Sequence, residues 1–201
     1  MDRKIWRWMA YKSFFLLLKT KILYGPRLAN LGRRTWIQSG CRIVGGEHIS
    51  IGSSSIIRWG ARLETIRVPD EPSPSLIIGS NVNIEQGVHL ICSTNLTIED
   101  NVSITPYCVI VDTSHDFKNP DSLPKMGALR DAARSGNVTI GAGTFVGAHS
   151  IILPGVKIGK GCVIAAGSVV TSSIPDYSTA QGVPARIKST FDFSTRTWTP
   201  V

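Results

Sequence analysis

The sequence predicts an all-β fold in which short strands wind into stacked triangular coils, and three observations support this prediction. An aliphatic residue occurs at every sixth position from Ile140 to Val170. A small or apolar residue follows four places after each, as at Thr144 and Ser150. Glycine or asparagine often fills the intervening turns, as at Gly143, and suits backbone angles that other residues avoid. A helix, with its period of 3.6, does not produce this spacing.

The six-residue repeat extends over most of the chain because each short strand needs neighbours to bury its aliphatic side chain. If each hexapeptide forms one flat side of a coil, three of them close a triangle with these side chains inside. The expected inward positions, in chain order, are Ile37, Ile43, Ile51, Ile57, Leu63, Ile78, Ile84, Leu90, Ile98, Ile104, Ile110, Ile140, Val146, Ile152, Ile158, Ile164 and Val170.

The repeat divides the chain into three parts. Residues 1–34 are expected to form a basic N-terminal helix and a connector, and residues 35–176 the coiled domain. Residues 177–201 are expected to form a C-terminal tail. A proline-rich stretch at 69–75 predicts a surface loop. A longer insertion at 116–137 interrupts the repeat directly after His115, and insertions of this length are usually functional.

The positive charge is concentrated before residue 35. Nine Lys or Arg residues stand there against the single acid Asp2, and this difference equals the whole net charge of +8. The apolar run at 14–18 is too short to span a bilayer, and no signal-peptide cleavage pattern follows it. Two alternatives remain for the helix expected at 2–23: a cap over the open end of the coils, or a basic surface resting on an anionic membrane.

The most specific stretch of sequence is residues 138–186, which end in Gly-Val-Pro-Ala-Arg. In these residues the chain resembles the hexapeptide-repeat acyltransferases, and within them the branch that O-acetylates sugars and polysaccharides. The resemblance covers about residues 37–188. It implies a left-handed parallel β-helix, a homotrimer with active sites between subunits, acetyl-CoA as co-substrate and no metal.

His115 is the expected catalytic residue. Acyl transfer from a thioester to an alcohol needs a base, and a neutral imidazole, with an ordinary pKa of about 6.5, suits that task. The resemblance implies that His115 deprotonates a sugar hydroxyl, which attacks acetyl-CoA directly without an acyl-enzyme. Asp112 or Asp116 is expected to orient the imidazole, although a backbone carbonyl would serve equally well. His89 and His149 are expected to be corner residues.

The resemblance also implies which residues bind the two substrates. For coenzyme A they are Phe145, Ala148, Ala166, Thr171, Arg186, Lys160 and Lys188. For the acceptor they are Glu85, Asn83 and Arg130. The chain departs from the family at two positions. Ser172 stands where the family often has Lys, and Glu85 stands where some relatives have an acceptor-binding Asn, with an exposed corner carboxylate as the alternative.

Other functions fit the sequence less well. Nucleic-acid binding is disfavoured because no stripe of stacking aromatics accompanies the basic residues. A zinc carbonic anhydrase of this fold needs converging histidines, whereas the four here are far apart in sequence. An acetyltransferase that modifies antibiotics or other small molecules, and a noncatalytic scaffold, remain alternatives. The tail from Lys188 to Trp198 is similar to those of polysaccharide-modifying enzymes and favours a surface-polysaccharide acceptor.

The four cysteines show no metal or redox spacing and predict reduced thiols. Cys41, Cys108 and Cys162 fall at inward positions of the repeat, whereas Cys92 lies outside it. We therefore expect a cytoplasmic protein, with the inner face of the membrane as the alternative raised by the N-terminal helix.

Overall fold

The computed structural model describes residues 15–68, 72–115 and 132–201, and for residue 115 and residues 132–135 it describes the backbone. Within these ranges, short strands pair in parallel from coil to coil and form three sheets around a shared core. The predicted all-β fold of triangular coils is confirmed. Asp116, Arg130 and the first part of the predicted helix lie outside the described residues.

Six coils follow one another in the described residues, and each contributes one strand to each sheet. The first three coils contain β1 (Asn30–Leu31), β2 (Trp36–Ile37), β3 (Arg42–Val44), β4 (Ile49–Ile51), β5 (Ile56–Ile57), β6 (Arg62–Thr65), β7 (Ser75–Ile78), β8 (Asn83–Ile84) and β9 (His89–Cys92). The fourth contains β10 (Asn95–Ile98), β11 (Ser103–Ile104) and β12 (Val109–Val111), and is followed by β13 (Thr113–His115) and β14 (Ala132–Ser135). The last two contain β15 (Val138–Ile140), β16 (Phe145–Val146), β17 (Ile151–Ile152), β18 (Lys157–Ile158), β19 (Val163–Ile164) and β20 (Val169–Val170), and the chain ends with β21 (Ser178–Gly182), β22 (Ala185–Asp192) and β23 (Thr197–Pro200).

The three sheets are the faces of a triangular prism. Sheet A has the order β1-β4-β7-β10-β15-β18, and sheet C has the order β3-β6-β9-β12-β17-β20. Sheet B has nine strands, β2-β5-β8-β11-β16-β19-β21-β22-β23, because the C-terminal strands extend it. The edges where the chain passes from one sheet to the next are named here the AB, BC and CA corners.

The core consists of aliphatic ladders that run from coil to coil. In sheet B the register aligns residues that are each at most 1% exposed: Ile37, Ile57, Ile84, Ile104, Val146, Ile164 and Ala180. Burying a Val or Ile side chain contributes about 1.5–3 kcal/mol, so these ladders supply most of the stabilisation. The second inward position of the repeat is also buried, as at Thr144, Ser150 and Cys162.

The tail is a continuation of the prism. Strand β21 pairs in parallel with β19, and β22 and β23 then add antiparallel strands to the same sheet. Ala180 and Ala185 from this segment are buried in the core. The last coil therefore continues directly into the tail, and no structural break is seen at the boundary expected at residue 177. Tyr177, Phe191, Phe193 and Trp198 form a cluster of edge-to-face rings on this extension.

Residues 15–23 form a helix that packs on the first coil, and 3-10 helices follow at Gly25–Arg27 and Gly46–His48. The buried Thr20 hydroxyl accepts a hydrogen bond of 2.9 Å from the backbone N–H of Ile37 in the edge strand β2. The helix therefore covers part of that sheet edge, which would otherwise expose unpaired backbone groups. Among the described residues, none of the helices combines the length and apolar character that a bilayer crossing requires.

The BC corner is a column of left-handed backbone conformations, with glycine at Gly60, Gly87 and Gly167 and with Tyr107 and His149 at the same turn position. The Tyr107 and His149 rings stack with centroids 5.3 Å apart and planes inclined by 19°. His149 is therefore a corner residue, as expected. The same expectation for His89 is wrong, because His89 begins strand β9 and pairs with Arg62 and Val109.

Gly87→Ala should lower the free energy of unfolding by more than Gly167→Ala does. Both glycines have positive φ, 65° and 70°, so both changes carry the same backbone strain of about 1–2 kcal/mol. A Cβ at Gly87 would overlap the Tyr107 ring, whereas nothing lies within 4 Å of one at Gly167. Urea denaturation measures the difference. The additional loss of stability in Gly87→Ala should disappear when Tyr107 is also changed to Ala. An additional loss that persists in that background would contradict this account.

Candidate active site

His115 lies on an excursion that leaves the prism at the CA corner. Strand β13 departs from the fourth coil and pairs antiparallel with the returning strand β14, which brings the backbone of His115 opposite Ala132. The excursion therefore leaves the coil at Thr113, earlier than the insertion predicted to start after His115. A short two-stranded ladder thus supports His115 at its outer end.

Asp112 fixes the point from which this excursion departs. Its side chain is fully buried, and its Oδ1 accepts hydrogen bonds from the backbone N–H of Ser93 at 2.6 Å and the Ser93 hydroxyl at 3.2 Å. Its Oδ2 accepts from the backbone N–H of Thr94 at 2.8 Å and the Thr94 hydroxyl at 3.0 Å. Backbone donors in such numbers compensate a carboxylate for the loss of water.

The backbone of Asp112 closes the excursion as well. Its carbonyl oxygen accepts a hydrogen bond of 2.8 Å from the N–H of Gly136, where the chain returns to the coil. Burial raises the pKa of the neighbouring Cys92 thiol to about 12, and the Asp112 charge adds to this effect. Asp112 therefore ties the outgoing chain, the returning chain and the coil next to it into one unit.

The residues expected to bind coenzyme A occupy more than one corner. Phe145 lies on the outer face of sheet B with its side chain 45% exposed, between Ser103 and Val163 of the adjoining coils. Ala148 and Ala166 follow at the BC corner, where the carbonyl oxygen of Ala148 accepts a hydrogen bond from Gly167 N–H. Phe145 and the two alanines therefore line the same side of the prism.

The remaining expected coenzyme residues are spread over the C-terminal end. Arg186 and Lys188 lie on β22, the antiparallel extension of sheet B, and both are exposed. Lys160 lies at the AB corner, where its backbone N–H donates to Asp176. Thr171 follows β20 at the CA corner, the corner from which His115 departs. Arg186 and Lys188 thus share sheet B with Phe145, whereas Lys160 lies at the AB corner and Thr171 at the CA corner.

The width of sheet C separates His115 from the alanines at the BC corner. One side of the prism is about five residues long, or roughly 15–20 Å at the rise of a β-strand. Reacting atoms must approach to about 3–3.5 Å. Within one chain, the backbone of His115 and the Ala148–Ala166 surface therefore lie at opposite edges of sheet C, farther apart than reacting groups can be.

Two of the expected acceptor residues, Asn83 and Glu85, belong to a row of polar side chains on sheet B. The Arg58 Nε lies 2.9 Å from the Glu85 Oε2, and the other oxygen of Glu85 accepts a hydrogen bond of 2.8 Å from the Asn83 amide. The Glu85 side chain is only 21% exposed, so the alternative of an exposed corner carboxylate is wrong. The Asn83 Oδ1 is buried and has no hydrogen-bond partner within the described part of the chain.

Two features of the site were not predicted. The Arg58–Glu85 pair follows from the register of β5 and β8. That register aligns the inward Ile57 and Ile84, and Arg58 and Glu85 come directly after them. The Tyr107–His149 stack lies next to Ala148 and occupies positions that other coils fill with glycine. Departure from glycine at a fixed turn position is the sequence signal that identifies this stack.

Comparisons with known proteins support the family indicated by this geometry. Residues 137–172 match the family model described as bacterial transferase hexapeptide (six repeats). In these residues the chain is similar to the hexapeptide-repeat transferases. It is 32% identical over 130 residues to a protein of Escherichia coli named as a lipopolysaccharide biosynthesis O-acetyl transferase, WbbJ, covering 61% of this chain and 64% of that protein. It is 36% identical over 123 residues to the galactoside O-acetyltransferase of Escherichia coli, covering 58% of each.

The chain thus spans less than two thirds of the length of these two relatives. Among solved structures, it is similar to a mutant of AntD, an N-acyltransferase from Bacillus cereus, in complex with dTDP and coenzyme A. That likeness has a TM-score of 0.70 and 25% sequence identity, and covers 83% of this chain and 86% of the other.

Asp112→Ala should lower the free energy of unfolding by about 2 kcal/mol, because it leaves the buried N–H of Ser93 and the partly buried N–H of Thr94 without partners. Asp100→Ala is the matched control, since exposed Asp100 accepts one backbone hydrogen bond, from Ser80. The control should cost less than about 1 kcal/mol. Urea denaturation of both variants tests this. Similar losses for the two would contradict an anchoring role for Asp112.

Proposed function

We propose that this chain is an O-acetyltransferase that moves an acetyl group from acetyl-CoA to a sugar hydroxyl of a surface polysaccharide or its precursor. The observation that supports it best is the placement of His115 on an anchored excursion at one corner of a hexapeptide-repeat prism. The relatives named as O-acetyltransferases support the same reaction and an acceptor of this class.

The proposed reaction is a direct transfer. The His115 imidazole accepts the proton of the acceptor hydroxyl, whose oxygen attacks the thioester carbonyl carbon and forms a new C–O bond. The tetrahedral intermediate then collapses with cleavage of the C–S bond. The imidazolium returns its proton to the departing thiolate, so coenzyme A leaves as the thiol and no covalent enzyme intermediate forms.

The exposed surface of sheet B suits the extended coenzyme. Phe145 offers an exposed ring, Ala148 and Ala166 leave the backbone accessible to the pantetheine amides, and Arg186 offers a guanidinium for a phosphate. Within the described ranges, Arg186 donates one side-chain hydrogen bond of 3.1 Å, from Nη1 to the carbonyl oxygen of Ala185, and its guanidinium carries further donors that suit a phosphate. Lys160, Lys188 and Thr171 are the further candidates.

Glu85 and Asn83 are the proposed acceptor contacts. Their polar atoms lie along sheet B, and the buried Asn83 Oδ1 has no hydrogen-bond partner among the residues that the structure describes. An amino-sugar acceptor is the second candidate, because the similar AntD structure is named as an N-acyltransferase. Coenzyme A release measured in parallel with hydroxyl and amino forms of the same nucleotide sugar distinguishes the two. No release and no coenzyme binding would favour a noncatalytic scaffold.

We propose a cytoplasmic location, where acetyl-CoA is made and thiols stay reduced. All four cysteines are free, and burial raises the pKa of the Cys41 thiol to about 11. The acceptor test in cells is mass spectrometry of surface glycan with and without the gene. Loss of one acetyl group from the repeating unit is expected, and an unchanged glycan would contradict the polysaccharide acceptor.

His115→Ala should lower kcat on the order of a hundred- to ten-thousandfold, because the hydroxyl proton then has no base. Coenzyme binding, measured by calorimetry, should persist since the imidazole acts on the acceptor. His89→Ala is the control, because His89 lies on strand β9 and should retain most of the activity. If folded His115→Ala keeps near-normal turnover, the mechanism fails and His149 or His89 becomes the next candidate.

Arg186→Ala should raise the KM for acetyl-CoA more than it lowers kcat, and high salt should weaken coenzyme binding in the unaltered protein. Arg196→Ala removes an exposed charge from the turn between β22 and β23 and serves as the control. Unchanged coenzyme affinity in Arg186→Ala would place the phosphate contact elsewhere.

The proposed assembly is a homotrimer whose sites lie between protomers. Trimers reassembled from equal amounts of His115→Ala and Arg186→Ala chains should regain activity at about a quarter of their sites, where an intact His115 faces an intact Arg186. The assay is made at low acetyl-CoA concentration, and the separately assembled variants are the controls. Light scattering gives the mass of the assembly. No recovery in mixed trimers would contradict a shared site, and a fully active monomer would contradict the assembly.

A further inference from the structure

A second exposed surface lies at the opposite end of the prism from the C-terminal strands, on the helix of residues 15–23. Phe15, Leu18, Ile22 and Leu23 are 53, 43, 62 and 47% exposed. They are spaced i, i+3, i+7 and i+8, which places them along one face of a helix. We name these four side chains the apolar helix face.

The structure fixes the direction of this face. Thr20 lies on the opposite side of the helix, is fully buried, and bonds to Ile37 of β2. The Tyr24 hydroxyl adds a contact of 3.4 Å to the carbonyl oxygen of Gln38, and the Lys19 ammonium donates to the Ser39 hydroxyl at 2.7 Å. The helix is therefore held against the first coil with its apolar face outward.

A cationic cavity adjoins the helix. It has a volume of about 640 Å³ and lies between the helix, the connector and the first coil. Its lining includes Lys21, Arg33 and Arg34 together with the apolar side chains of Leu17 and Leu31, and none of its described lining residues is acidic. Arg33 and Arg34 are exposed, so their guanidinium groups are accessible to an anion from solvent.

The surrounding sequence provides no counter-charge. No Asp or Glu occurs between Asp2 and Glu47, whereas Lys19, Lys21, Arg27, Arg33, Arg34 and Arg42 all lie in that interval. A purely structural cap would need neither the exposed apolar side chains nor an uncompensated set of cations. An apolar face flanked by cations matches the interface of an anionic bilayer, where acyl chains lie next to phosphate groups.

We propose that the apolar helix face and the cationic cavity together dock this protein on the headgroups of an anionic phospholipid bilayer. The apolar side chains enter the boundary between headgroups and acyl chains, while Lys21, Arg33 and Arg34 bind headgroup phosphates. The helix lies in the plane of the membrane and does not cross it. This inference rests on residues outside the proposed catalytic site and does not depend on the proposed function.

Flotation of the full-length protein with vesicles tests this docking. Vesicles of phosphatidylcholine with phosphatidylglycerol should bind the protein, and vesicles of phosphatidylcholine alone should bind it on the order of tenfold less. Raising the salt concentration should release it from the anionic vesicles. Equal binding to both kinds of vesicle, or binding to neither, would overturn the proposal.

Two double variants separate the parts of the surface. Leu18→Ser with Ile22→Ser removes the centre of the apolar helix face, and Arg33→Gln with Arg34→Gln removes two cavity charges. Each should lower binding to anionic vesicles on the order of tenfold. Lys157→Gln with Arg196→Gln removes two exposed charges at the far end of the prism and should bind like the unaltered protein.

Circular dichroism checks that each variant is folded, which is expected because all substituted side chains are exposed. Light scattering addresses the other occupant of such a face, a second copy of the chain. If the Leu18→Ser, Ile22→Ser variant changes the oligomer mass, the face is an interface between copies and the proposal is overturned. Loss of vesicle binding at constant mass supports it, as does retained acetyl transfer to a soluble acceptor in the same variant.

Discussion

The whole structure depends on the stacking of one inward aliphatic side chain on the next along the prism. Each strand in the coils is two to four residues long and would not persist alone. Its stability comes from the strands of the adjoining coils, which bury its Ile or Val and pair with its backbone. Because each coil is held by its neighbours, the register is propagated from β2 to β21 without a slip in the sheet B ladder.

This dependence leaves the corners and outer faces free to vary. Tyr107 and His149 replace glycine at the BC corner, where their rings stack outside the core. The excursion at the CA corner is tolerated because Asp112 binds the adjoining coil through Ser93 and Thr94 and binds Gly136 through its carbonyl oxygen. A rigid scaffold with an anchored excursion is a suitable support for a catalytic base, because the position of the imidazole depends on the position of the backbone beneath it.

The two ends of the prism are completed in different ways. At the N-terminal end, the Thr20 hydroxyl of the helix accepts a hydrogen bond from the N–H of Ile37, and the apolar helix face is directed outward. At the C-terminal end, β22 and β23 extend sheet B and add a cluster of aromatic rings. Both devices cover the last inward residues of a stack, but the first carries the larger excess of positive charge. The charge asymmetry of the chain therefore belongs to one end of the molecule.

The sequence by itself determined the architecture of the coils and the inward positions, because a repeat of six residues maps each position onto one side of a triangle. It also indicated a long insertion, although the excursion begins at Thr113 and not after His115. It also singled out His115 from its place beside that insertion. Only the tertiary structure decided that Asp112 is a buried anchor, that Glu85 is paired with Arg58, and that the tail after residue 177 joins sheet B. These features depend on which residues from different coils become neighbours. That adjacency is set by the lengths of the interruptions at 69–75 and after His115, which a local pattern does not encode.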